Sequence, residues 1–268
     1  MNNRSFASNL GIYAYAAAAI VLGLTGFAWS DFAGGWQRVG PNVPFRTFLA
    51  YTAAFAEFLG GVALLWRPWA RTGAAILTVV YSIFTLLWVP KILESPMIYD
   101  GWGNFFEELS AVIGGLVLCA SLAPRDSAWA RNEARITRSY GICPISFAIV
   151  HIVSFSILPA WIPKWIPPGR IFWAVTTTVC FLLAAFAILS GIFAPLAARL
   201  LTAEIVGFEI LVWMPKLFSA PRDHFSWAGN AICVLLAGAV WVVSDSISEA
   251  ARRKAAIADS RMAVGSLA

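Results

Sequence analysis

Charged residues are scarce in this chain of 268 residues. Only 12% of them are Asp, Glu, Lys or Arg, whereas 60% are hydrophobic and the mean hydropathy is +0.75. A typical soluble domain carries about a quarter charged residues, so this chain has too little polar surface to cover a globule in water. The composition predicts an all-α integral membrane protein, in which the 14% of aromatic residues can anchor the chain at the lipid boundary.

Several chemical signatures are also missing. The four cysteines form no C-x-x-C pair and lie in apolar segments, which disfavours a disulfide framework and a dithiol relay. No His, Cys and Asp cluster has metal-ligand spacing, and neither a Gly-rich phosphate loop nor a G-x-S-x-G elbow is present. The net charge of +5 does not indicate a nucleic-acid partner, because in a membrane protein its meaning depends on where the basic residues lie. We therefore expect no metal site and a lipid bilayer as the main partner.

The apolar runs predict eight transmembrane helices, since about 20 mostly apolar residues cross the hydrocarbon core. These predicted spans cover residues 12–29, 47–66, 73–90, 105–123, 142–159, 171–193, 200–218 and 227–243. The first span has one preceding basic residue and no small-x-small pattern after it, so we expect an uncleaved helix rather than a signal peptide.

The distribution of Lys and Arg predicts the orientation. With a cytoplasmic N-terminus, the inner segments hold 12 of the 19 basic residues and the outer segments hold 7. The positive-inside rule therefore places both termini in the cytoplasm, and the composition is typical of a bacterial inner-membrane protein.

A short motif of tryptophan, proline and lysine occurs twice. Trp88, Pro90 and Lys91 match Trp213, Pro215 and Lys216, and each pair is 125 positions apart. The chain then divides into a four-helix module at 1–123, a cytoplasmic linker at 124–141, a second module at 142–244 and a cytoplasmic tail at 245–268. Because four is even, the two modules enter the membrane in the same direction, as parallel repeats.

The repeated motif has two interpretations. Tryptophan anchors at the interface, proline ends a helix and lysine reaches toward headgroups, so anchoring explains the motif by itself. The functional alternative is an outer rim around a mouth between the halves, formed by Trp88, Lys91, Trp213 and Lys216.

One stretch, AEFLGGVALLWRPWARTGAAIL at residues 56–77, resembles the second and third helices of DoxX-like membrane proteins. The matching features are Glu57, the small pair Gly60 and Gly61, and Arg71 before an alanine-rich helix. Residues 181–205 look like the same module, with Leu182 standing where Glu57 would align. The resemblance implies two tandem DoxX-like four-helix modules. It also implies kinship with the small DoxD-type subunit of thiosulfate:quinone oxidoreductase, hence quinone as a ligand and a redox partner protein.

Four ionisable residues fall inside the predicted spans: Glu57, His151, Glu204 and Glu209. Such residues cost about 2.5–3.5 kcal/mol on insertion scales and usually face the bundle interior or a wet cavity. One hypothesis is that Glu57, His151 and Glu209 meet between the halves, where they bind a lipophile or exchange protons. The alternative is that each serves only packing specificity. Glu107 and Glu108 lie at an outer helix end, where we expect them to be solvated.

The sequence thus predicts a redox-associated membrane subunit that binds quinone or another lipophile between its halves. A proton-coupled small-solute transporter and a membrane assembly factor without a catalytic site remain alternatives. Whether the protein is an enzyme is left open by the residues alone.

Overall fold

The computed structural model describes the backbone of residues 10–265 and the side chains of residues 10–258. Within residues 10–265 the chain forms eleven α-helices and no strand, as the composition predicts. Their bounds are Leu10–Trp29 (α1), Arg46–Leu65 (α2), Ala70–Leu87 (α3), Val89–Glu94 (α4), Tyr99–Ser121 (α5), Ala128–Ser139 (α6), Ile142–Val153 (α7), Arg170–Ser190 (α8), Ala194–Phe208 (α9), Met214–Ser219 (α10) and His224–Gly265 (α11).

Seven helical stretches in the described part of the chain are long and apolar enough to cross a membrane. They are Leu10–Trp29, Arg46–Leu65, Arg67–Glu94, Tyr99–Ser121, Ala128–Val153, Arg170–Ser190 and His224–Ala258. Each overlaps one predicted span. The eighth predicted span, 200–218, is not among these seven. It covers most of α9, a π-helical turn at Glu209–Trp213 and α10, and its α-helix ends at Phe208 after 15 residues.

The helices expose large apolar side chains and bury small ones. Leu86, Leu183 and Phe186 are each more than 60% exposed. In the interior, a Cβ at Gly23 or Gly26 would clash with Ala54 on α2, so these two glycines let α1 and α2 approach closely. A surface of this kind suits lipid rather than water. The helices and their surface support an integral membrane protein.

The predicted linker and tail are both largely helical. The hydroxyl of Ser127 accepts a hydrogen bond from the backbone N–H of Ala130, a standard N-cap for α6. At the other end of the chain, α11 continues without interruption from His224 to Gly265. The last span and the backbone of most of the predicted tail are therefore one helix.

The helices form two groups, α1 to α3 and α7 to α9, that meet along α5 and α11. Helix α1 packs on α2 and α11, while α7 packs on α8 and α5; α3 contacts α2 and α5, and α9 contacts α8 and α11. The loop between α1 and α2 folds back into the first group, since Phe32, Ala33, Trp36 and Gln37 are buried. This loop carries side chains to the place where the two groups meet.

Candidate functional site

A cavity of about 530 Å³ lies between the two halves of the chain. Trp36, Asn104 and Glu107 line it from the first half. His151, Trp161 and Trp213 line it from the second half. The cavity is therefore built only when both halves are packed together.

Aromatic rings form one wall of this cavity. The ring of Trp36 stacks on Phe225 with centroids 5.3 Å apart and meets Trp213 edge-on at 5.7 Å. Trp161 lies 5.9 Å from Trp213 on the other side. A flat aromatic ligand can pack against such a wall in offset or edge-to-face geometry.

His151 provides the polar group of the opposite wall. Its Nδ1 lies 3.2 Å from the hydroxyl oxygen of Thr178 and 3.4 Å from that of Thr177. Both hydroxyls already donate to backbone carbonyls of α8 one turn earlier, at 2.7 Å and 2.9 Å. A hydroxyl has a single hydrogen, so with both threonines donating to the backbone, the Nδ1–H of a neutral His151 can donate to their oxygens. That arrangement leaves Nε2 as a hydrogen-bond acceptor.

The structure places His151 in the last turn of α7, not in the middle of a span. Helix α7 ends at Val153, and a 3-10 turn at Leu158–Trp161 follows. The predicted span 142–159 is thus helical for only part of its length. Its remainder turns back and brings Trp161 to the cavity.

Glu107 is the second proton acceptor of the cavity. Its Oε2 accepts a hydrogen bond of 2.8 Å from the indole N–H of Trp36. The backbone carbonyl of Trp36 in turn accepts a bond of 2.8 Å from the indole N–H of Trp88. Residue 36 is therefore held at both its side chain and its backbone, which fixes the carboxyl of Glu107 at the cavity wall.

Glu57 belongs to a different environment, inside the first half. It is 1% exposed, and its Oε1 accepts a bond of 2.7 Å from the side-chain amide of Gln37. Glu108 and Tyr81 lie close enough to Glu57 to interact electrostatically. Both carboxyl oxygens of Glu108 and the hydroxyl of Tyr81 are buried without a hydrogen-bond partner. The result is a buried polar cluster beside the cavity, not on its wall. Within the described residues no three His, Cys, Asp or Glu side chains are grouped to hold a metal ion.

The two glutamates of the second half are also separate from each other. Glu209 begins the π-helical turn, is 8% exposed and has one buried carboxyl oxygen, Oε2, without a hydrogen-bond partner. It lies beside Cys233, which lines the cavity and whose thiol donates to the carbonyl of Ile205. Glu204 lines a second cavity, between α8 and α9. Of the predicted group, His151 reaches the cavity wall, Glu209 lies behind Cys233, and Glu57 lies in the polar cluster of the first half.

The predicted rim residues have unequal environments. Trp88 is buried, 4% exposed, with the Arg38 guanidinium 5.4 Å above its ring, so it is not an exposed interfacial anchor. Lys216 lies with its Nζ 3.3 Å from the ring centre of Trp161 and 4.4 Å from that of Trp213. Lys91 is half-buried on α4. Lys216, in the second half, therefore contacts two tryptophans of the aromatic wall.

Several important residues were not selected from the sequence: Trp36, Gln37, Glu107, Glu108 and Trp161. The expectation that Glu107 and Glu108 are solvated is wrong for Glu108, which is 2% exposed. The loop before α2 folds inward and helix α5 packs in the interior, so the side chain of Glu108 is shielded from solvent. For Trp36 and Trp161, the sequence signal that could have identified them is the similarity of the two tryptophan-containing loops at 36–46 and 161–170.

No protein-family model, curated protein or solved structure matches the chain.

Proposed function

We propose that this protein binds a lipophilic ring compound bearing hydroxyl groups, such as a quinol, and the quinone formed from it, in the cavity between its halves. The supporting observation is the pairing of an aromatic wall with two groups that can accept a proton, the His151 ring and the Glu107 carboxyl, among the lining residues of one cavity of about 530 Å³. That volume lies in the usual range of small-molecule sites, about 300–1,000 Å³. The protein would act as a redox-associated membrane subunit.

Different residues bind different parts of the ligand. The rings of Trp36 and Trp213 hold the ligand ring, and a ligand hydroxyl donates to Nε2 of His151 or to Glu107. When a quinol is oxidised it releases two protons and two electrons. His151 and Glu107 receive the protons, and a redox partner protein takes the electrons.

We also propose that the chain is a tandem repeat of two four-helix, DoxX-like modules, with eight membrane-spanning segments. Corresponding helix boundaries support the repeat. Helix α4 ends at Glu94 and α10 at Ser219, and α5 begins at Tyr99 and α11 at His224, each pair being 125 positions apart. In addition, the indole of Trp102 donates to the carbonyl of Pro96 at 3.1 Å, and that of Trp227 to the carbonyl of Pro221 at 2.9 Å. The same local bond thus recurs at the same register.

The proposed orientation places the start and end of the chain in the cytoplasm of a bacterial inner membrane. Single cysteines would be introduced at Lys91, Lys216 and Arg131 after the four native cysteines are replaced. An impermeant maleimide added to intact cells should label positions 91 and 216 and should label position 131 only after lysis. Labelling of 91 and 216 from opposite sides would contradict the parallel repeat.

Ligand binding can be tested with menadione and its reduced form, menadiol, on the purified protein in detergent. His151→Phe keeps a ring but removes the acceptor, and Glu107→Gln keeps an oxygen for Trp36 but removes the proton acceptor. Each change should weaken menadiol binding about three- to tenfold, since one hydrogen bond contributes about 0.5–1.5 kcal/mol.

The matched control is Glu204→Gln, an equally conservative change of an acid that lies outside this cavity. It should leave menadiol affinity unchanged. Absence of binding to the unmodified protein, or binding that is indifferent to both cavity variants, would contradict the proposed function.

A further inference from the structure

A second cavity, of about 490 Å³, lies as a groove between α8 and α9. Its lining is almost entirely apolar and includes Leu183, Leu200 and Leu201. The first two side chains are 63% and 62% exposed, on the surface that suits lipid. The groove therefore opens toward the bilayer rather than toward water.

The groove and the cavity between the halves have a common wall. Ile162, Phe208 and Val212 line both spaces. In addition, Thr177 lines the groove while its hydroxyl contacts Nδ1 of His151, which lines the cavity. The two spaces are therefore adjacent and share these lining side chains.

This wall lies where the backbone of α9 changes its winding. Phe208 ends the α-helix, and the π-helical turn that follows contains Val212. Such π-turns are rare and frequently occur at functional sites. Gly207, the residue before Phe208, has open space where a Cβ would be. The groove beside the wall is therefore not filled by the protein itself.

We propose that the groove holds the apolar tail of the ligand whose ring binds in the cavity between the halves. The tail passes the side chain of Phe208, and the ligand reaches the site laterally from the bilayer. The substrate class is then an amphiphile with a hydroxylated ring and a long hydrocarbon chain, not a small water-soluble solute. This inference rests on the proposed function.

The polar residues of the groove are compatible with a hydrocarbon chain. The hydroxyl of Thr177 already donates to the carbonyl of Trp173. Glu204 is half-buried and carries one buried carboxyl oxygen without a partner. A protonated carboxyl has no charge and costs far less beside an apolar chain than an ionised one. We therefore expect Glu204 to line the tail site without binding the ring.

The test compares menadiol with the reduced form of menatetrenone, which has the same hydroxylated ring and a long isoprenoid tail. Gly207→Trp should fill the groove, because the glycine faces open space there. The variant should weaken binding of reduced menatetrenone at least about tenfold and leave menadiol binding within about twofold of the unmodified protein. The control is Leu196→Trp, which adds the same ring on α9 at a side chain that is 58% exposed and lines neither space.

The possible outcomes separate the two proposals. If the unmodified protein binds neither compound, the proposed function fails and the tail site fails with it. If both compounds bind and Gly207→Trp affects them equally or not at all, only the tail site is contradicted. A menaquinone analogue with a photoreactive group at the tail end gives a readout that needs no variant. It should crosslink to peptides of α8 and α9, and crosslinking elsewhere would overturn the inference.

Discussion

The ring of Trp213 packs directly on the α-carbon of Gly229. A Cβ on residue 229 would overlap three carbon atoms of that ring, and both residues line the cavity between the halves. Glycine is therefore required on this face of α11 for Trp213 to take its place in the aromatic wall.

Gly229→Ala should displace the Trp213 ring and disturb the cavity. Overpacking of this kind typically costs about 1–3 kcal/mol of the free energy of unfolding. Unfolding in mixed micelles measures the cost, and menadiol titration measures the effect on the site. Gly207→Ala is the control, because its Cβ meets nothing within 4 Å; better helix propensity should stabilise that variant by about 0.5–1 kcal/mol. Equal stability of the two variants would contradict the packing described.

Gln37→Ala should destabilise the protein because it leaves the buried Glu57 carboxyl without its donor and the backbone N–H of Ala33 without its acceptor. The expected loss is about 1–3 kcal/mol of the free energy of unfolding. Gln37→Ala combined with Glu57→Leu removes both partners and should recover much of that loss. A double variant no more stable than Gln37→Ala alone would show that the hydrogen bond is not the cause.

Glu107 and Glu108 should respond oppositely to the same change. Glu108→Leu removes a carboxyl group with two buried, unpartnered oxygens, so the midpoint of thermal unfolding should stay the same or rise. Glu107→Leu leaves the buried indole N–H of Trp36 without its acceptor, and the midpoint should fall. Thermal scans of the two variants in one detergent form a matched pair. A fall for Glu108→Leu would indicate a partner for that carboxyl, such as bound water.

Lys216→Met and Trp161→Leu should be strongly coupled. The ammonium group lies 3.3 Å from the ring centre of Trp161, and such contacts contribute about 0.5–2 kcal/mol depending on exposure. A double-mutant cycle on unfolding in mixed micelles gives the coupling free energy. Lys91→Met, the corresponding change in the first half, should show no coupling to Trp161→Leu. Additive effects of the Lys216 and Trp161 variants would exclude the cation–π contact.

The start of α11 should depend on pH through Asp223. The Ser226 hydroxyl donates to its carboxylate at 2.7 Å, and the Ser226 backbone N–H does so at 2.9 Å. These bonds lower the pKa of Asp223 below its ordinary value of 3.8. Because the folded pKa is the lower one, the stabilisation is complete above about pH 4 and is lost as the pH falls through the folded pKa. Asp223→Ala should unfold at a lower temperature at pH 7, with a difference that shrinks below pH 4; a constant difference would contradict this role.

Composition and the apolar runs were sufficient to predict the helical class and seven of the eight expected spans, but not the helix Ala128–Ser139 within the predicted linker. Apolar runs of about 20 residues satisfy their backbone hydrogen bonds internally, so their class is decided locally. The boundaries were predicted less well. Helix α7 ends at Val153 and the π-helical turn begins at Glu209, and both changes lie beside the cavity, where packing between helices overrides the apolar pattern.

Residue types and their spacing are enough to establish that this chain is helical and apolar, and that His151 and three glutamates lie within its apolar runs. Which of these residues share a site depends instead on how the helices and loops pack. Glu57 faces Gln37, His151 faces the cavity, and Glu107 became a cavity residue because a loop far away in sequence brings Trp36 to its carboxyl. Contacts of that kind depend on how helices pack and loops fold back, which no local pattern of residues specifies.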